Sequence, residues 1–541
     1  MKEKIFFDSN IFIYAADKKS LFYDESIGII KDYIQKGFCT CDLCFLEFYQ
    51  VITDGRKTPK PLSPQDALRY VKKMWDTPEI DVLEVDILRT FLEHQEDLVR
   101  YNITKFGVYD YLIAACLKRE RIEKIATFNG KDFMQYPWLT VVDPRETYGS
   151  RSSAPFSGLR APRFIPYGRQ SISEQDVAAV CKVLRSDWLT TGPKVSAFEE
   201  AVSNFVGAAH AVAVSSGTAA LHCAMYAAGI GPGDEVILPS ITFAATANVV
   251  VILGAKPVFV DVTSDTLLID PEKVEASLTS VTKALVAVDY TGHPCAYDEL
   301  REIARRNNLV LIADACHSIG GTYHGRPVGS LADLTVFSFH PVKHITTGEG
   351  GMIVTDNSEY ADMMRKFRNH GISADFQERR QKGDWYYEIW EPGYNYRITD
   401  LQCALGLSQL ARLREFLSRR RELAATYNVS FASVPEISTL SVSEKVDHAY
   451  HLYVVQIPFK QLGKDRRSLF RYMNQHGVAV NVHYLPVHLH PFYRKRFGTG
   501  SGMCPIAEAA YEKLLTLPLF PALKKDDQMY IIKTLLSFLE E

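Results

Sequence analysis

Along this chain, short apolar runs of strand length alternate with stretches whose apolar residues recur at helical spacing. Lys4-Ile5-Phe6-Phe7 reads as a strand that delivers Asp8, and a helical stretch follows over about residues 24–36. Phe38 to Cys41 reads as the next strand, and a helix beginning near Leu43 carries Glu47. Val108 to Ala115 is apolar at helical spacing around Asp110. Lys124 to Asn129 is a further strand, with Asp132 just beyond it. The period then breaks. From Gly149 to Arg163 the chain is rich in Ser, Gly, Pro and Arg and lacks acids, which predicts a flexible linker.

Beyond the linker the alternation resumes. Ala211 to Val214 enters the small-residue turn Ser215-Ser216-Gly217-Thr218 and then a helix. Glu235 to Phe243 reads as a strand with Phe243 at its end, and Pro257–Asp261 and Ala284–Asp289 follow. Leu309 to Ala313 ends in Asp314, and Leu334 to Phe339 leads past Lys343 into a glycine-rich turn. This rhythm predicts two independently folding α/β units, the second built on a mostly parallel sheet covered by helices. There is no internal repeat.

A length of 541 residues suggests about three or four domain-sized units. Composition is ordinary for a soluble globular protein, and the formal net charge of -3 gives no global footprint of nucleic-acid binding. Residues 1–150 hold 21 Lys+Arg against 24 Asp+Glu, so any RNA surface there is not a basic stripe. Ten cysteines without paired spacing predict reduced thiols. Cys39, Cys41 and Cys44 form a C-x-C-x-x-C cluster, but no second Cys/His cluster lies nearby to complete a zinc site. Asp8, Ser9 and Asn10 interrupt the apolar start before a signal-peptide core forms, and no apolar run approaches the roughly 20 residues that span a bilayer. The expectation is a cytoplasmic protein with no membrane partner.

The candidate chemistry falls in two places. In the second unit, Lys343 follows an apolar strand and Asp314 ends another. Pyridoxal phosphate chemistry requires a lysine that forms a Schiff base with the cofactor aldehyde and a carboxylate that keeps the pyridine nitrogen protonated. The Ser-Gly-Thr turn is either a plain helix cap or an anion cradle, and Phe243 either packs in the core or stacks on a planar ring. In the first unit, single acids are usually solvated. Four acids converging at strand ends can hold Mg²⁺ or Mn²⁺ and activate water against a phosphodiester.

The first unit, with Phe7-Asp8-Ser9-Asn10-Ile11-Phe12, Leu46-Glu47, Asp110-Tyr111-Leu112-Ile113-Ala114-Ala115 and Thr127-Phe128-Asn129-Gly130-Lys131-Asp132, resembles the PIN-domain ribonucleases. The resemblance implies Asp8, Glu47, Asp110 and Asp132 as metal ligands and RNA as a possible substrate. The second unit has Gly192-Pro193-x-Val195-x-x-Phe198-Glu199, Ser215-Ser216-Gly217-Thr218-Ala219-Ala220-Leu221, Asp314-x-x-His317 and Ser338-Phe339-His340-x-x-Lys343-x-Ile345-Thr346-x-Gly348-Glu349-Gly350-Gly351. It resembles the DegT/DnrJ/EryC1/StrS nucleotide-sugar aminotransferases of fold-type I.

That likeness implies Lys343 as the Schiff-base lysine, Asp314 at the pyridine nitrogen, His317 beside the phenolic oxygen and Phe243 on the ring. Gly217, Thr218 and Ser338 would bind the phosphate of pyridoxal 5'-phosphate, and Asn395 would reach the phosphate of a neighbouring subunit in a homodimer. Ile165–Gln170, Asp289–Cys295, Trp385–Glu388 and Gly477–His488 are most similar to members that take an amino group from glutamate, releasing 2-oxoglutarate, to a UDP-linked 4-keto-6-deoxy-N-acetylhexosamine in pseudaminic acid biosynthesis. The expected organisation is a PIN-like α/β/α domain over residues 1–147 and a linker over 148–164. A large cofactor-binding domain with an N-terminal arm covers 165–410, and a small α/β domain covers 411–541. Two alternatives stay open: an RNA-cleaving protein whose second unit senses a ligand or dimerises, and an inert first unit.

Overall fold

The computed structural model describes residues 4–16, 20, 22–34, 36–54, 62–86, 89, 107–134, 136–145, 164–373, 379, 383 and 385–540. The chain divides into two compact units, Met1–Gly158 and Leu159–Glu541. The expected linker, all but Phe164, lies outside the described residues.

The first unit is a parallel sheet of five strands, β1 (Phe6–Phe7), β2 (Phe38–Cys41), β3 (Ile80–Leu83), β4 (Lys124–Ala126) and β5 (Thr140–Val142). Their order is β3-β2-β1-β4-β5. Successive side chains of a strand point to opposite faces, and here both faces are buried. Phe6, Cys39 and Cys41 join one apolar cluster with helix Gly107–Arg119, while Ile5, Phe7 and Phe38 join another with helices Ser9–Ala16 and Asp42–Thr53. That alternation makes the α/β/α sandwich. It also aims the residues after β1 and β4 toward the same end of the sheet, since neighbouring parallel strands finish together.

The second unit holds strands β6 (His210–Val214), β7 (Glu235–Pro239), β8 (Lys256–Val260), β9 (Thr282–Val288), β10 (Val310–Asp314), the short β11 (Thr322–Tyr323) and β12 (Arg326–Pro327), β13 (Leu334–Ser338) and β14 (Gly351–Thr355). The large sheet runs β6-β14-β13-β10-β9-β7-β8, and only β14 is antiparallel to its neighbours. Strand β15 (Ser438–Thr439) pairs with β17 (Tyr453–Gln456) and β18 (Leu514–Leu517), and β16 (Val446–Asp447) pairs with β11. Strand β7 stops at Pro239, four residues before the expected end. Phe243 therefore caps helix Ala244–Ile252 instead of ending a strand. Proline has no N–H to carry the ladder onward.

The Gly-Pro-x-Val-x-x-Phe-Glu segment is structural. It opens helix Pro193–Val206, whose first amides lie under Asp400: Gly192 N and Lys194 N donate to its two oxygens at 2.7 and 2.9 Å. A Cβ on Gly192 would stand 2.6 Å from Asp400 Oδ1, so only glycine admits the contact. Phe198 is fully buried with its ring 5.2 Å from Phe339, and Glu199 accepts from Ala213 N at 2.9 Å. Asp400→Ala leaves a buried and a half-buried donor unpaired and should cost about 1–3 kcal/mol. Urea unfolding of the variant checks this, and an unchanged midpoint would show that water takes over the cap.

Candidate active site

Two parallel strands lying side by side carry the central pair. Strand β10 ends in Asp314, and β13 leads through Ser338 to the turn that holds Lys343. Their carboxyl ends open into a cavity of about 840 Å³ lined by Gly217, Thr218, Phe243, Asp314, His317, Ser338 and Lys343. Carboxyl ends of parallel strands are where open α/β sheets place ligands.

Asp314 is buried, and its Oδ2 accepts from Thr246 Oγ1 at 2.7 Å, which fixes the carboxylate plane. Lys343 is half-buried, and its Nζ lies 3.4 Å from His451 Nε2. Desolvation lowers the amine below the ordinary lysine range, and Arg420 pushes the same way, while Cys316 and Asp314 oppose them. His317 is held neutral, first by burial and then by Lys343. Its Nε2 is 3.4 Å from the Tyr484 hydroxyl, and its Nδ1 is buried without a partner. Phe243 is 59% exposed, so it lines the cavity and does not pack in the core.

Helix Gly217–Ala227 starts at the cavity wall, capped by Ser216, whose Oγ accepts from Ala219 N at 3.1 Å. A Cβ on Gly217 would come within 2.9 Å of Ser338 Cβ, so glycine lets the helix start close against the β13 end. An amide-rich helix start beside a serine hydroxyl suits a phosphate. A lysine of lowered proton affinity, a fixed carboxylate, an orphaned imidazole nitrogen and this cradle together fit pyridoxal phosphate. Asn395 is the exception. It is exposed, bridges to Asn369, and does not line the Lys343 cavity of its own chain.

In the first unit, Asp8 is buried and accepts from Ser9 N at 2.7 Å, Asn10 Nδ2 at 2.6 Å and Thr127 Oγ1 at 2.7 Å. Ser9 Oγ also donates to Glu47 at 2.7 Å, tying the first strand end to helix Asp42–Thr53. Burial raises Asp8 to about 6, and Glu47 adds to the rise. Burial raises Asp110 to about 7, and Asp132, Asp8 and Glu47 all contribute. All four predicted acids therefore share one electrostatic field. Their oxygen chemistry suits Mg²⁺ or Mn²⁺. Even so, no group of three or more His, Cys, Asp or Glu among the described residues is spaced to hold a metal ion. The cysteine cluster is inert: Cys41 and Cys44 share a hydrogen bond at 3.6 Å, and burial pushes Cys39 up to about 12.

Sequence reading missed His451 and Thr246. They stand 108 and 68 residues from their partners Lys343 and Asp314, and only Thr246's place among alanines marked it as unusual.

The arrangement defines an α/β site built around a lysine and a carboxylate at the ends of neighbouring parallel strands. Residues 170–536 match the DegT/DnrJ/EryC1/StrS aminotransferase family, and the chain belongs to that family. Residues 5–139 match the PIN domain. The chain is 43% identical over 366 residues to the spore coat polysaccharide biosynthesis protein SpsC of Bacillus subtilis, covering 67% of this chain and 94% of that protein. Helicobacter pylori PseC, an aminotransferase involved in pseudaminic acid biosynthesis, superposes with a TM-score of 0.65 at 31% identity, covering 70% of this chain and all of that one. The sugar aminotransferase Spr1654 of Streptococcus pneumoniae, in its PLP form, gives a TM-score of 0.65 at 33% identity over 70% of this chain and 99% of that one. Among the described residues, no helix is long and apolar enough to cross a membrane.

Asp8 and Asp110 lie above their ordinary 3.8 in the folded protein. A carboxyl raised by folding leaves stability intact below about pH 4 and removes it as pH rises through its folded value. The metal-free first unit should therefore lose stability between about pH 4 and 7. Asp110→Asn should raise its stability at pH 8 by about 1–3 kcal/mol, allowing for the partial exposure of the side chain. Thermal melts at pH 5 and pH 8 read this, and a variant that melts lower at pH 8 would contradict it.

Proposed function

We propose that this protein transfers the amino group of glutamate to C4 of a UDP-linked 4-keto-6-deoxy-N-acetylhexosamine, as the UDP-4-amino-4,6-dideoxy-N-acetyl-β-L-altrosamine transaminase of the pseudaminic acid pathway. The observation that carries the reading is Lys343, an amine lowered by burial in the same cavity as Asp314 and the glycine-opened helix start. Likeness to PseC supports the sugar, and likeness to the PLP form of the pneumococcal protein supports the cofactor.

Pyridoxal phosphate, when bound, supplies an electrophilic carbonyl and a sink for the electrons released at the substrate carbon. Gly217, Thr218 and Ser338 would hold its phosphate and Phe243 its ring face. Asp314, fixed by Thr246, would keep a proton on the ring nitrogen. Lys343 Nζ, its proton affinity lowered by burial, would take the proton from the substrate carbon and return it at the cofactor's carbonyl carbon. His317 would orient the ring oxygen. The buried imidazoles around Lys343 leave few charges to compete for that proton.

In this reading the working form is a homodimer with shared sites. Asn395 supports it, being exposed and outside its own chain's cavity. Lys343→Ala and Asn395→Ala should each lower glutamate-dependent amination by about 100-fold or more. Mixed dimers of the two should regain activity, because one of their two sites keeps both groups. Borohydride reduction of the loaded protein should place the pyridoxyl group on Lys343. Label on another lysine would overturn the assignment, and inactive verified mixed dimers would overturn the shared site.

A second activity is favoured by the mutual repulsion of Asp8, Glu47, Asp110 and Asp132, which a divalent cation would relieve. We assign residues 5–139 as a ribonuclease unit dependent on Mg²⁺ or Mn²⁺. Mn²⁺ should raise the melting temperature of a 1–147 fragment, and Asp110→Asn should remove most of that rise together with cleavage of structured RNA. A wild-type fragment with neither a metal-dependent shift nor cleavage leaves the inert reading in its place.

A further inference from the structure

Arg420 is the largest fully buried side chain of the described residues. It sits on helix Leu413–Phe431, and no carboxylate among the described residues lies within ion-pair distance of it. A buried cation without a counter-charge is costly, so its partners indicate what it is for. All three are backbone carbonyls: Arg420 Nη1 donates to Tyr450 O at 3.2 Å, His451 O at 3.2 Å and Leu519 O at 3.0 Å.

Two other features hold the same loop. Tyr450 adopts φ +49°, a left-handed conformation that a bulky residue keeps only when its surroundings over-determine it. Gly292, at φ +105°, brings its backbone so close that a Cβ would lie 2.9 Å from Tyr450 N and 3.0 Å from His451 N. Ala449 N and Leu452 N then donate to Gly292 O and Thr291 O at 2.9 and 3.2 Å. An arginine clamp, a strained tyrosine and a glycine contact all fix one side chain, and His451 presents its Nε2 3.4 Å from Lys343 Nζ. Its Nδ1 is buried without a partner, so the Lys343 contact is the ring's hydrogen bond.

We propose that His451 is the positioning residue of the Lys343 amine, a neutral imidazole whose Nε2–H donates to the amine lone pair, and that Arg420 is the residue that holds His451 there. This rests on the aminotransferase reading for the purpose of Lys343, but the contact itself does not. The imidazole stays neutral because burial, Lys343, His317, His344 and Arg420 all disfavour a second charge. The His317 and His344 rings stand 4.4 and 5.7 Å from it. From the other elements, Asp314, Cys316, His483 and Arg420 face Lys343. Asp314 and Cys316 favour the ammonium, and burial and Arg420 oppose it. The pair thus lowers the proton affinity of the amine and keeps it oriented whenever it is not bonded to a cofactor.

The test uses the full chain freed of cofactor, with competitive acetylation by acetic anhydride and peptide mass mapping to give the pH midpoint of Lys343. His451→Phe, which keeps the ring and removes both nitrogens, should raise that midpoint by about one pH unit. Arg420→Met should raise it as well, and Arg420→Lys, which keeps the charge, should return it toward wild type. With cofactor restored, His451→Phe should lower kcat about tenfold or more and leave the glutamate KM within about twofold. An unchanged Lys343 midpoint in folded His451→Phe overturns the proposal, as does a midpoint in Arg420→Lys that matches Arg420→Met. If Arg420→Met does not fold, His451→Phe decides alone. Should the wild type fail to aminate any sugar while the midpoints move as stated, the contact stands and the aminotransferase reading is what fails.

Discussion

The second unit depends on keeping one amine largely out of water. A lysine removed from solvent gives up its charge unless a counter-ion accompanies it, and the neighbours of Lys343 are arranged so that the compensation stays incomplete. Asp314 pulls toward the ammonium but is itself engaged by Thr246. Against it stand burial and Arg420, with His317, His344 and His451 neutral around the amine. The surrounding architecture can be read as the means of holding these groups in place. Side-by-side strands set the carboxylate and the lysine turn, and the loop before β17 brings the imidazole back over them.

Close backbone approach is what makes this density possible. Gly217 lets a helix start against Ser338, and Gly292 lets the His451 loop lie on the turn after β9. Behind that turn, Asp289 is fully buried and raised to about 6 by its burial, and it accepts from Ser318 Oγ at 2.6 Å and Tyr297 OH at 2.9 Å. Ser318 follows His317 directly, so this carboxyl ties the histidine turn to the strand beside it. Side chains that never reach the cavity fix the geometry of those that do.

The first unit treats charge the opposite way. Its acids are brought together with no cation among the described residues to balance them, and Asp8 and Asp110 rise accordingly. Hydrogen bonds from Ser9, Asn10 and Thr127 hold Asp8 in position, and those from Thr127 and Ser9 offset part of the rise that burial imposes. A site of this kind stores repulsion, whereas the site of the second unit excludes charge.

Much of this was legible in the residues themselves. Strand and helix periods gave both units, because a sheet buried on two faces demands apolar runs and the covering helices demand their own spacing. Lys343, Asp314 and the Ser-Gly-Thr turn stood out because each interrupts an apolar strand at its end with a residue type of definite chemistry. The Gly-Pro-x-Val-x-x-Phe-Glu segment was equally visible, but its role as a cap under Asp400 was not, since that partner lies 208 residues away. Phe243 was placed at a strand end because the sequence does not say where Pro239 breaks the ladder. His451 and Arg420 carried no local signal, and Thr246 only its place among alanines. A histidine before an apolar strand, a threonine among alanines and an arginine inside an arginine-rich helix look like ordinary residues until the fold brings them to the amine and the carboxylate. Local chemistry and period are properties of neighbours along the chain, so the sequence determined them. The lowered proton affinity of Lys343 is a property of neighbours in space, so only the tertiary structure decided it.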